Sequence, residues 1–178
     1  MAFFKKKTFY PPEVGETTIR LAGIDIMYIC TELGYLKPVD TYQEAWSEYM
    51  KVEYALTLLV ISHKYPKISD DFKYFLENTT KARIKSGTGT ELLKKQVSSD
   101  AWYKDVDAYM SIQLESIPVA LYEKILPLLP FMPDVNQKAN LSKYLDRRIP
   151  VIYQDLMKLK FGIYNTRVEV EAVPPVTY

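Results

Sequence analysis

One cysteine, one histidine, two tryptophans and six glycines occur in the 178 residues of this chain, and no apolar run is long. Each shortage excludes something. A lone cysteine, Cys30, cannot form an intramolecular disulfide. A disulfide-stapled secreted framework is ruled out, and a reducing compartment is the simpler setting. One histidine and one cysteine cannot build a Cys/His zinc site, and no metal or cofactor is expected. A Ser–His or Cys–His nucleophile pair would have to recruit His63. That residue closes an apolar helical stripe, where it can bond the last carbonyls or complement the negative helix end, and it is read as structural. The longest apolar stretch, Ala55 to Ile61, falls far short of the roughly 20 residues a membrane span needs. Met1 to Phe4 is apolar but brief, and Lys5-Lys6-Lys7 follows it, the reverse of a signal peptide. The expected location is intracellular or in a virion, without export through a signal peptide.

What is present is ordinary globular material. Hydrophobic residues make up 48% and charged residues 25%, which argues against global disorder. The length suits one domain of about 100–200 residues. Few glycines beside many charges fit a heat-adapted protein. Tyrosine occurs 15 times; its apolar ring and polar tip suit interfaces and half-buried packing alike.

Periodicity predicts a mainly α protein: a single bundle-like domain of about five to seven helices over residues 17–165, with a non-helical arm at 1–16 and an extended tail at 166–178. Thr17 or Thr18 caps a first helix whose apolar face is Ile19, Ala22, Ile26, Ile29, Cys30 and Leu33, stopped by Gly34. Cys30 reads as a small buried core residue. Thr41 and Glu44 have capping-box spacing ahead of a stripe through Tyr42, Ala45, Tyr49, Val52, Leu56, Leu59 and His63, which Pro66 ends. The segment Ala55–Ile61 is apolar nearly all round, so Leu56 and Leu59 are expected to be the most buried. Ser69 or Asp70 starts a third helix facing inward through Phe72, Phe75, Leu76 and Ile84. A turn at Glu91–Val97 follows the loop-like Ser86-Gly87-Thr88-Gly89-Thr90. Ser99 or Asp100 caps a helix extending to Ile117; Pro118 kinks the chain or restarts a helix. Asp134 begins another, and Pro150 reads as the first residue of a last helix closed by Gly162.

Two ends and one charge asymmetry carry the functional reading. Phe3, Phe4, Phe9 and Tyr10 surround the lysines of the N-terminal arm. Arg167 to Ala172 alternates polar and apolar with the period of a strand, and Val168, Val170 and Tyr178 join the first four as candidate assembly residues. Residues 21–63 are net −4 and residues 64–104 net +4, so an acidic block adjoins a basic one. Lys5, Lys6, Lys7, Lys81, Arg83, Lys85, Lys94 and Lys95 are candidate contacts to a nucleic-acid backbone. The Gly-containing loop leading into Lys94 and Lys95 lacks the spacing and the preceding strand of a phosphate loop and reads as a connector. Asp25, Glu32 and Asp155 stand in apolar neighbourhoods as candidate buried acids, but a general acid needs a cleft and a partner. No catalytic residue is assigned and no small-molecule substrate is implied. The expectation is a non-enzymatic structural protein that self-associates through its arms, as in a viral or phage coat or other large complex. The alternative is a non-sequence-specific nucleic-acid binder, and the two can coexist. An enzyme of unknown class is the further alternative.

Overall fold

In the computed structural model, residues 7–34, 42–86 and 91–163 are described. Their arrangement follows from one helix that has almost no solvated face. Helix α2 (Gln43–Lys64) buries fifteen of its 22 residues and packs against the other six: α1 (Pro11–Glu32), α3 (Ser69–Lys85), α4 (Glu91–Val97), α5 (Asp100–Met110), α6 (Ile117–Ile125) and α7 (Val135–Lys158). The all-round apolar second half makes this placement the only one that removes its surface from water. Leu56 is fully buried as expected. Leu59 is only half-buried, and Leu58 and Val60 are buried in its place. The domain is thus a single all-α unit arranged around α2.

Helix α1 presents its expected face. Ile19, Ala22, Ile26, Ile29, Cys30 and Leu33 are all buried, and Gly34, at φ +76°, supplies the left-handed stop. Its start differs. The helix begins at Pro11, with prolines at its first two positions, and Glu13 reaches back to the backbone N–H of Tyr10. A proline there sacrifices an N–H that has no helical partner anyway, so residues 11–16 belong to the helix and not to a non-helical arm. Gly15 lets α1 approach α3 closely: a Cβ at this position would lie 2.7 Å from Thr80 Oγ1.

Two other proline readings resolve differently. Pro118 restarts the chain: α5 ends at Met110, a 3-10 turn spans Leu114–Ser116, and α6 has Pro118 in its first turn. Pro150 does not start a helix. It lies inside α7, which is continuous from a capping box of Asp134 and Gln137 to Lys158. The ring removes one backbone bond, and the buried face Leu141, Leu145 and Ile149 holds the two halves on α2 and α6. At the far end of α7, Lys64 donates to the carbonyls of Met157 (2.6 Å) and Leu159 (2.7 Å), satisfying the negative helix end with a cation. His63 is exposed in the last turn of α2. Two short strands then tie the ends of the described chain together. β1 (Thr8–Phe9) pairs in parallel with β2 (Lys160–Phe161), and Gly162 N–H donates to Phe9 O at 3.1 Å. The expected strand at 167–172 lies outside the described residues.

Candidate functional site

Helices α1 and α7 run in opposite directions across α2, linked at three levels. Gln137 donates to Leu33 O at 2.6 Å. Tyr28 and Tyr144 meet with ring centroids 5.2 Å apart. Arg148 donates from Nε to both oxygens of Asp25 at 3.1 Å, and its Nη2 lies 3.0 Å from the second. Tyr144 adds its hydroxyl to the same carboxylate at 3.0 Å. Side chains hold these helices together where their backbones diverge, and a groove of about 480 Å³ remains between them. Tyr28 and Glu32 line one wall; Lys143, Tyr144, Arg147 and Arg148 line the other. Lys143 and Arg147 are exposed, and no described residue pairs with either.

Beneath the groove lies an unusual carboxyl pair. Glu53 of α2 is buried beside Asp25, and its Oε1 has no hydrogen-bond partner among the described residues. Burial first, then the negative charge of Asp25, pushes the Glu53 carboxyl well above the ordinary carboxylate range, against a smaller opposing pull from Arg148. The neighbouring Tyr49 hydroxyl is also buried without a partner, and burial raises it far above the usual phenol range. An apolar cavity of about 70 Å³ also reaches Glu53, between Val14 and Leu21 of α1 and Ile152 and Leu156 of α7.

The outer face of α1 continues the groove. Leu21, Ile24, Met27 and Tyr28 recur at helical spacing and are exposed, Ile24 by 52% and Met27 and Tyr28 by 48% each. A four-residue apolar stripe on one helix is more than scattered surface hydrophobicity.

The sequence-predicted residues fall elsewhere. Lys5, Lys6, Phe3, Phe4, Val168, Val170 and Tyr178 lie outside the described residues. Lys7 pairs with Glu13 at 2.9 Å and sits over the Phe9 ring. Phe9 packs on the chain's own core, and Tyr10 is half-buried at the start of α1. Arg83 pairs with Glu16 and Lys94 with Glu91, each at 2.9 Å. Lys81 lies 3.8 Å from Asp100 and over the Tyr103 ring. Lys85 and Lys95 are exposed, with no ion-pair partner among the described residues. Of the three candidate buried acids, Asp25 is buried, whereas Glu32 and Asp155 are exposed. Sequence reasoning missed Glu48 and Glu53. The available signal was their place in a helix apolar on nearly every side, where even acids must go inward.

Among the described residues no helix is long and apolar enough to cross a membrane, and no group of three metal-binding side chains occurs. Comparison with protein-family models, with curated proteins and with solved structures gave no match to this chain.

Proposed function

We propose that the chain is a non-enzymatic structural protein that assembles with copies of itself, as a coat, filament or other large-complex subunit does. The observation that carries this reading is the exposed stripe Leu21, Ile24, Met27 and Tyr28 beside an open groove. Apolar surface of that kind is costly in water and marks contact faces. This reading adds α1 and α7 to the arms as candidate contact surfaces. Light-scattering mass across a wide concentration range tests it. The expected result is a mass above that of one chain, rising with concentration. A single-chain mass at every accessible concentration rejects the reading.

A second reading, binding to a nucleic-acid backbone, draws on exposed Lys85 and Lys95 near the end of α3 and in α4. It is weakened by the carboxylates paired with Lys7, Lys81, Arg83 and Lys94. Such binding falls steeply with salt, because each neutralised phosphate releases counterions. Adding single-stranded oligonucleotide at low salt therefore shifts the mass if this reading holds. No shift, or one insensitive to salt, removes it.

A further inference from the structure

The cleft between α1 and α7 starts where the described chain ends. β2 runs parallel to β1, and its register sets Gly162 beside Tyr10, the residue before α1. Phe9 and Phe161 line the small cavity beside Glu53, together with Val14 of α1 and Leu156 of α7. Ile163 still packs on the core. The chain therefore leaves the domain at the head of α1, where the end of α7 faces it. From there the cleft follows α1 for its 22 residues, about 33 Å.

A chain entering at that end runs along α1 and against α7. Asp25 faces Arg148 and Tyr28 faces Tyr144, so Arg147 stands about 22 Å from the head of α1 and Lys143 about 27 Å. At about 3.3 Å per residue, an extended chain carries Glu169 about 23 Å beyond Gly162 and Glu171 about 30 Å. Each carboxylate thus comes level with one cation, to within about one residue. Both cations lie on the α7 wall, one turn apart, and like charges at that spacing repel unless something neutralises them. Val168 and Val170 fall on the other side of the strand. Val170, about 26 Å along, reaches the level of Tyr28 on the α1 wall.

We infer that residues 164–172 fold back as an extended strand in the groove of their own chain, with Glu169 on Arg147 and Glu171 on Lys143. Attachment at Gly162 selects the chain's own tail. It holds the segment at high local concentration and fixes both direction and register, which a neighbour's tail would have to find. The inference goes beyond the self-association reading and does not depend on it. Ile24 and Met27 do not line the groove and stay outside as the contact face.

The test is native-state proteolysis of the full chain by thermolysin, read as the rate of cutting before Val168 and Val170. Each rate is taken relative to a free peptide of the same tail sequence. Lys143→Glu/Arg147→Glu is expected to raise the rate about tenfold, because the two ion pairs that close the tail become repulsions. Adding Glu169→Lys/Glu171→Lys to that same chain is expected to return it to the wild-type rate. Dilution is expected to leave the protection unchanged. Where the groove reversal loses helicity, Lys143→Gln/Arg147→Gln takes its place, and Glu169→Gln/Glu171→Gln is then expected to add nothing further to its effect. Equal rates in wild type and groove variant, or no recovery in the four-site chain, overturn the inference and leave the self-association reading standing. Protection that fades on dilution, or that returns when the two reversals are mixed as separate chains, puts the tail in a neighbour's groove and overturns it too. A protected tail on a protein of single-chain mass rejects the self-association reading and keeps this one.

Discussion

The two sides of α2 solve the same problem in opposite ways. Each buries a glutamate of that helix. Towards α5 and α6, Glu48 accepts from Lys51 at 2.7 Å and Tyr109 at 2.7 Å, with Lys124 at 3.3 Å, and Lys51 continues to Asp105 at 2.6 Å. Burial opposes the Lys51 charge, but the bonds to Asp105 and Glu48 outweigh it, and its ammonium is held above the usual range. Trp102 donates to Ser47 alongside. Towards α1 and α7, Glu53 meets another acid and one arginine already committed to Asp25, and two polar groups stay unpartnered. The α5 side leaves the Tyr103 hydroxyl unpartnered too, but no carboxyl. One side is closed by a saturated ion network; the other is a latch under an open groove. What sets the α1 and α7 side apart is an unpartnered buried carboxyl beneath exposed apolar surface, and an incomplete buried polar group is costly.

Breaking the saturated side has the largest expected effect. Glu48→Ala takes the acceptor from the buried Tyr109 hydroxyl and leaves Lys51, whose side chain is only 12% exposed, with Asp105 alone, and is expected to cost about 3–5 kcal/mol in chemical denaturation. A loss below about 1 kcal/mol would show that the network is not closed. Leu56→Ala, between the two sides, is expected to cost about 2–5 kcal/mol by the cavity it leaves. Gly15→Ala drives a methyl against Thr80 Oγ1, which already bonds the Tyr54 hydroxyl at 3.0 Å; a loss of about 1–3 kcal/mol is expected, and an unchanged unfolding midpoint would show that α1 and α3 separate freely.

Glu53→Gln sharpens the comparison at the smallest cost. The folded-state carboxyl titrates above its unfolded value, so its contribution is complete below the unfolded value, about 4.3, and is lost as pH rises through the folded value. Glutamine keeps the shape and donates to Asp25 without that loss. The variant is expected to gain stability relative to the wild type as pH rises from 4 to 8. A pH-independent difference between the two would contradict a protonated Glu53.

Much of the architecture was legible. The spacing from Ile19 to Leu33 identified the α1 face, and Asp134 announced its own cap, because both signals are local. Pro150 misled because the local rule for proline at a helix start was satisfied, while the packing of Leu145 and Ile149 that carries α7 through it is tertiary. The groove was not legible at all. Asp25 and Arg148 are 123 positions apart, and no periodicity links them. Asp25 was readable as a buried acid; its arginine was not.

The α1 side also differs from a second exposed apolar patch, Met132 and Val135, which are 91% and 81% exposed where α6 gives way to α7. That patch borders its own groove of about 440 Å³, lined by Leu126, Phe131, Met132 and Lys138, but no unpartnered carboxyl lines it, and it serves as the internal control. The most direct measurement of the central claim is the light-scattering mass of Ile24→Asp/Met27→Asp against Met132→Asp/Val135→Asp, at a concentration where the wild type is associated. The account predicts that the first variant falls to the mass of one chain with its helicity intact, and that the second keeps the wild-type mass. An α1 variant that stays associated while the Met132 variant dissociates would contradict it.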